Sequence, residues 1–442
     1  MDPVILPRDK HNISRANIDR DALKVLYRLH QNGYLAYLVG GSVRDLLLGR
    51  QPKDFDVVTD ARPQQIKHLF RNAFQVGRRF QLMHITFRDK RIETSTFRKC
   101  PKQDNTENGD SNDLLLRCEN EFGTPYEDAS RRDFTINGLF YNIADFSVID
   151  YVGGLKDLET QTIRSIGDPC IRFQEDPVRM IRAVRISGRT GFKLADDVGR
   201  AIWTYREHIL RCSQARVLEE ILQLLRHNSS ELSMRLLRDT GLMEIILPEI
   251  LDHWTDPEKE KRASQILKSL DAVSEPEFPK TPSLLLAALF LPVMEEITHD
   301  FEPGKELRIL VEKTLKPFSN RTFLPRRFFD RITQISIAQR WFQSKKHKRF
   351  RPSAFVTRAF FRETLALASL YVPAEDDRWQ HNRDKWRVRI LNSDLSKKEK
   401  DHLLRLLQFK SRHSARRHRK KNNFATPKTS ETPNEQYQET VS

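Results

Sequence analysis

Asp54 and Asp56 are the residues of this chain whose type and spacing most directly suggest chemistry. On a strand, residues two apart point to the same face, so both carboxylates converge on one site. Two acids side by side repel unless cations lie between them, and magnesium favours carboxylate oxygen. Two Mg²⁺ ions held there can activate an attacking hydroxyl and stabilise a leaving pyrophosphate. Just upstream, LVGGSVRDLLLG ends an apolar strand on Gly40-Gly41 and opens a helix at once. Glycines at such a junction let backbone amides approach a phosphate, and a helix N-terminus favours negative charge. Arg44, one turn in, adds a charge-assisted donor. Alone, a glycine pair is a packing turn and a DxD an exposed strand end; coupled at this distance they read as a site.

Three further groups follow. Asp133 in Arg131-Arg132-Asp133 supplies a third acid suited to completing the metal site, and Arg132 beside it can reach a triphosphate. Asn137, four residues on, shares a helical face with Asp133 and can meet a ribose. Asp150, Gly153, Gly154 and Asp157 read equally as a site or as no more than a turn. Asp176, Arg179 and Arg182 recur every three residues and so share a helix face, with ion pairing as the plain reading. The sharper reading is base selection. Adenine presents an amino donor beside a ring-nitrogen acceptor, which Asp176 and Arg179 complement; guanine and uracil present the reverse and leave buried groups unpaired. Cytosine shows the same order as adenine, so the motif does not separate the two. Arg182 is left for phosphates.

The elements that must hold these residues alternate from Leu35 to about Asp150. Leu35–Val39, Phe55–Thr59, His84–Phe87 and Ile92–Phe97 read as strands, and Ser42–Leu48 and Pro63–Arg71 as helices, an α/β pattern. Pro101–Asp113 is polar and reads as a surface loop. Beyond Asp150 helical periodicity dominates; Arg216–Arg226 is strongly amphipathic, with Ser213 as its cap. At helical spacing Trp341-Phe342 and Phe360-Phe361 read as core rather than as base-stacking surfaces. His299-Asp300 has no companion His and Asp cluster to make it a metal site.

Composition sets the outer limits. The chain has 442 residues, enough for two or three domains. Lys and Arg outnumber Asp and Glu by 76 to 60, a net +16 that favours a polyanionic partner. Cys100, Cys118, Cys170 and Cys212 form no CxxC pair, which argues against zinc and disulfides. The apolar run Leu284–Val293 is too short to span a bilayer, and MDPVILPRDK lacks the order of a signal peptide, so a cytoplasmic location is expected.

Taken in order, GGxVRD at Gly40–Asp45, DxD at Asp54–Asp56, RRDFTxN at Arg131–Asn137, the acid–GG–acid turn at Asp150–Asp157, EDPxRxxR at Glu175–Arg182 and RxxE at Arg216–Glu219 resemble the class II nucleotidyltransferases, the superfamily of bacterial poly(A) polymerases and CCA-adding tRNA enzymes. Outside the motifs the chain is more similar to the poly(A) polymerases, at His11–Leu29, at Leu69–Ile85 with Gly77-Arg78-Arg79-Phe80, and at Leu324–Phe328. The resemblance implies an α+β protein: an N-terminal α/β nucleotidyltransferase domain with a mixed sheet, then an all-helical C-terminal region. It implies a helical leader (1–30), a catalytic domain (31–160), a nucleotide-selecting domain (161–230), a helical RNA-binding region (231–410) and a basic then polar tail (411–442). The implied activity is untemplated addition of AMP from ATP to RNA 3′ ends, with two Mg²⁺ ions; a CCA-adding or A-adding tRNA enzyme is the alternative, and a non-catalytic RNA-binding protein a remote one. RNA contacts are expected from Arg326, Arg327, Lys345, Lys346, Lys348, Arg349, Arg416, Arg417, Arg419, Lys420 and Lys421.

Overall fold

A computed structural model describes residues 2–77, 82–88, 90–99, 121–275, 278–343, 352–371 and 377–408. The chain forms two compact units, one of residues 1–260 with 314–325 and the other of residues 261–313 with the remainder from 326.

The first unit is built on an eight-stranded sheet: β1 (Val4–Leu6), β2 (Ala36–Val39), β3 (Asp56–Thr59), β4 (Ala73–Val76), β5 (Leu82–Phe87), β6 (Lys90–Thr96), β7 (Leu139–Asn142) and β8 (Val148–Asp150). The order is β1-β8-β7-β2-β3-β6-β5-β4, antiparallel except where β3 runs parallel to β6. The sheet is therefore mixed. Both faces of β2 are buried. Ala36 and Leu38 join one core, with α1 (Arg20–Gln31); Tyr37 and Val39 join the other, with Val58, Phe97 and Phe140. This is the period-two alternation of a strand covered on both sides. Helix α1 starts at Asp19, whose Oδ1 accepts from the amides of Asp21 and Ala22, and buries Ala22, Val25, Leu26 and Leu29 along one stripe. The leader thus contributes an edge strand, Val4–Leu6 paired with β8, as well as a helix.

Helix α2 spans Gly41–Leu47 and α3 Pro63–Leu69, close to their expected bounds. After α4 (Pro125–Ser130) and α5 (Gly154–Glu159) the fold is mostly helical: α6 (Pro169–Glu175), α7 (Val178–Thr190), α8 (Asp196–Tyr205) and α9 (Gln214–Arg226). One small exception is a parallel pair of two-residue strands, Thr162–Ile163 and Lys193–Leu194. Ser213 occupies the N-cap position of α9 without a side-chain cap bond.

Helices make up the described secondary structure of the second unit. Pro282–Thr298 is buried nearly all round, as its apolar run requires. Phe355, Phe361 and Trp386 pack ring to ring at 5.3–5.7 Å, and Trp341 lies 6.5 Å from Phe355, so Phe361 is core. Among the described residues no helix is long and apolar enough to cross a membrane. Cys170 and Cys212 are free thiols, and Cys100 and Cys118 lie outside the described residues, as do Arg78-Arg79-Phe80.

Candidate active site

The site forms where β2 and β3 meet α2. Val39 at the end of β2 pairs with Asp56 at the start of β3, and Asp56 in turn is the Cα partner of Glu93 on β6. Gly40 turns the chain between them at φ +74°, and a Cβ there would lie 3.4 Å from Arg132 Nη1 and 3.9 Å from Asp56 Oδ2. The glycine therefore serves both backbone conformation and close approach. Protein crowds the Asp56 carboxyl although the residue is exposed at the sheet end. That desolvation, then Glu93 and Asp54, push its pKa up to about 6 against the pull of Arg132. Strand β3 begins at Asp56, so Asp54 stands before the strand rather than on it. Glu93 was not picked out from the sequence. The polar–apolar alternation of Lys90–Thr96 flags it as an outward acid, but only the parallel register sets it beside Asp56.

Arg132 is aimed by a buried acid. Asp128 is fully buried and accepts from Arg132 Nη2 at 2.8 Å, Arg131 Nε at 3.0 Å and the Arg98 amide at 3.3 Å. Burial opposes its charge, yet Arg132 and Arg131 outweigh it and hold the Asp128 carboxyl below the usual range. The Arg132 guanidinium also lies 5.4 Å from the centre of the Phe140 ring.

Asp133 and Asn137 do not share a helix face. Phe134 is extended and bridges Ser165, and a 3₁₀ turn follows at Thr135–Asn137. Asn137 Nδ2 still donates to Asp133 Oδ1 at 3.1 Å, and the Phe134 amide to the same oxygen at 2.9 Å. Asp133 Oδ2 lies 3.5 Å from Arg182 Nη1. Burial would raise this carboxyl's pKa, but Arg182 and the two donors hold it below the usual range. Among the described residues, Asp54, Asp56 and Asp133 do not form a three-acid group at metal-ligand spacing. Arg44 is buried and internally committed: Nε and Nη2 donate to Asp45, and Nη1 donates to Asn137 Oδ1 at 2.6 Å. It braces the glycine turn against the Asp133 segment. Asp45 also binds Arg189 of α7 at 2.5 Å.

Asp176 is not on a helix face with Arg179 and Arg182. Proline disfavours helical backbone in the residue before it, and Asp176, preceding Pro177, is extended at φ −145° between α6 and α7. Its Oδ2 accepts from Arg216 Nη2 at 2.8 Å, while Oδ1 is buried without a hydrogen-bond partner. Arg179 Nη1 donates to the Arg172 carbonyl at 2.9 Å and to Glu175 Oε2 at 3.0 Å. Arg182 and Arg185 share Glu220 of α9, and Glu219 pairs with Arg226.

The Asp150 turn is scaffolding. Asp150 Oδ1 accepts the amides of Val152, Gly153 and Gly154, and Oδ2 accepts that of Leu155, all within 3.0 Å. Asp157 binds Thr135 Oγ1 at 2.7 Å and Arg164 Nε at 3.1 Å. A Cβ on Gly154 would fall 2.2 Å from the Thr135 carbonyl oxygen. In the second unit, Arg326 is exposed, pairs with Asp330 at 3.0 Å and lies over Phe329; Arg327 lies over Phe328 at 4.8 Å. Lys345, Lys346, Lys348, Arg349, Arg416, Arg417, Arg419, Lys420 and Lys421 lie outside the described residues.

A mixed sheet closed by a glycine turn and an acid cluster, followed by helices, is the class II nucleotidyltransferase fold. The Bacillus stearothermophilus CCA-adding enzyme in complex with CTP matches it at TM-score 0.58 and 22% identity, over 91% of this chain and 98% of that one. Residues 36–164 match the poly A polymerase head domain, and residues 191–253 the family described as the probable RNA and SrmB-binding site of polymerase A. Poly(A) polymerase I of Haemophilus influenzae is 39% identical over 303 residues, 67% of each chain. Poly(A) polymerase I of Salmonella typhi is 44% identical over 298 residues, 66% of this chain and 64% of that one, so this chain spans just under two thirds of its length. The chain belongs to the bacterial poly(A) polymerase family.

Proposed function

We propose that the protein transfers AMP from ATP to the 3′-hydroxyl of RNA without a template, releasing pyrophosphate. The observation that carries this reading is the meeting of Asp56, Glu93 and Arg132 at the Gly40 turn. Asp54 and Asp56 are the candidate holders of Mg²⁺: burial first, then Glu93 and Asp54, push the Asp56 carboxyl up to about 6, and a hard cation there would favour its charged form. When bound, Mg²⁺ supplies positive charge for the attacking oxygen and the departing pyrophosphate. Arg132, held by Asp128, has its Nη1 beside the Gly40 turn and is the candidate donor to the triphosphate. Asp176 Oδ1, buried and unpartnered, is an acceptor suited to the amino group of adenine. Asn137, oriented by Arg44 and Asp133, is the candidate ribose contact. RNA as acceptor agrees with the net charge of +16, and a cytoplasmic location with RNA and ATP as substrates.

Adenine and cytosine offer the same donor–acceptor order to Asp176, so the choice of poly(A) over CCA rests on the named relatives. The test is product length on a generic single-stranded RNA with Mg²⁺ and ATP alone. Extension by many adenylates is expected. Use of CTP first, with strict arrest after CCA and only on tRNA, overturns polyadenylation in favour of tRNA repair.

A further inference from the structure

The helix Lys305–Thr322 ends in an unusual way. The Leu324 amide donates to the Ser319 carbonyl at 3.0 Å, the six-to-one bond of a Schellman cap, and the residue that must turn left-handed to allow it is Phe323, at φ +45°. That position ordinarily takes glycine, because any Cβ strains it and a large side chain gains nothing from it. Here the side chain is Phe and is 69% exposed, the most exposed large apolar residue among those described. Stability alone favours a different residue on both counts. Strain and an uncovered aromatic ring at one position point to a binding role.

The residues before it suggest the partner. Lys316 and Asn320 lie one turn apart at the end of the helix and Phe323 follows just beyond it, and all three are exposed. Lys316 makes no ion pair among the described residues. A free ammonium, an amide and an exposed ring within one short segment suit a phosphate, a base edge and a base face in turn. We propose that Phe323 is a stacking platform for a base of single-stranded RNA, with Lys316 on the adjoining phosphate; this rests on the reading of the chain as an RNA-extending enzyme. No catalytic residue described above lies in this segment, so the contact acts on how RNA is held rather than on transfer itself.

Strain and binding give the variants opposite signs. Phe323→Gly relieves the left-handed backbone and should raise the melting temperature by about 2–4 °C, while weakening the affinity of the full chain for an oligoadenylate by roughly tenfold, within the range for one lost stacking contact. Phe323→Trp should keep wild-type affinity and Phe323→Leu should lose it, because only the former stacks. Unchanged oligoadenylate affinity in Phe323→Gly overturns the proposal. A lower melting temperature in Phe323→Gly also overturns it, since the ring would then be a packing element. Untemplated ATP incorporation by the wild type is scored in parallel. Incorporation without Phe323-dependent binding leaves the catalytic reading standing and removes this one; Phe323-dependent binding without incorporation does the reverse.

Discussion

Asp56 and Glu93 are Cα partners across the single parallel pairing of an otherwise antiparallel sheet, which sets two acids side by side at the glycine turn. Their proximity adds to desolvation in raising the pKa of Asp56 to about 6. The folded protein therefore binds this proton more tightly than the unfolded chain does, and without a cation it loses stability as pH rises from about 4 through 6. Asp56→Asn should abolish nucleotide transfer yet melt higher than wild type at pH 7.5 in a chelator, with the gap closing below pH 4. Thermal melts across pH check this; a variant that melts lower at pH 7.5 contradicts it.

Asp128 has no solvent contact and carries both Arg131 and Arg132. Removing one member of a buried ion pair typically costs about 3–5 kcal/mol, so Asp128→Ala should be strongly destabilised in urea titrations. Its depressed pKa gives the opposite pH sign to Asp56. The stabilisation is fully present above the unfolded value near 4 and is lost as pH falls below it. Activity of the folded fraction should also drop through KM for ATP, because Arg132 loses its anchor.

Selectivity should respond at Asp176. Asp176→Ala removes the acceptor for the base amino group, and discrimination for ATP over GTP should shrink by about 1–3 kcal/mol. Arg216→Ala should produce a smaller loss of the same kind, since Arg216 positions the carboxylate from an exposed site. Competition assays with mixed nucleotides read both. Intact selectivity in Asp176→Ala would move base reading elsewhere.

Asp150 should separate folding from chemistry. Four backbone amides depend on its two oxygens. Asp150→Ala should destabilise by about 2 kcal/mol, the upper range for a lost cap. Turnover per folded molecule at low temperature should stay near wild type, and a selective loss of turnover would restore Asp150 to the site.

Part of the framework around the candidate site was legible because it depends on local rules. The Gly40-Gly41 junction and the start of α2 follow from strand, turn and helix signals in one short stretch, whereas the Arg132 guanidinium reaches Gly40 only through the tertiary fold. Elsewhere spacing misled, through long-range pairing in some places and a local break or neighbour in others. The four-residue spacing of Asp133 and Asn137 reads as a helix, but Phe134 is drawn into a bridge with Ser165. The three-residue spacing of Asp176 and Arg179 reads the same way, but Pro177 breaks the helix between them. Arg44, expected to meet phosphate, is spent inside the fold because Asp45 and Asn137 reach it first. Glu93 needed a register that no local pattern encodes.

The pairing of β1 with β8 has a consequence for synthesis. Val4 pairs with Asp150 at the far end of β8, so β1, made before the rest of the sheet, can be seated only after the last strand of the sheet has emerged. At about 5–20 residues per second that interval is roughly 7–30 s. Throughout it the apolar Val4 and Ile5 have no strand to pair with, and the nascent head presents an open sheet edge. Asp150 ends that wait and, through its oxygens, starts helix α5 in the same step. Ribosome-bound chains stalled shortly before and shortly after Asp150 leaves the exit tunnel should therefore differ sharply in protease resistance of the entire head.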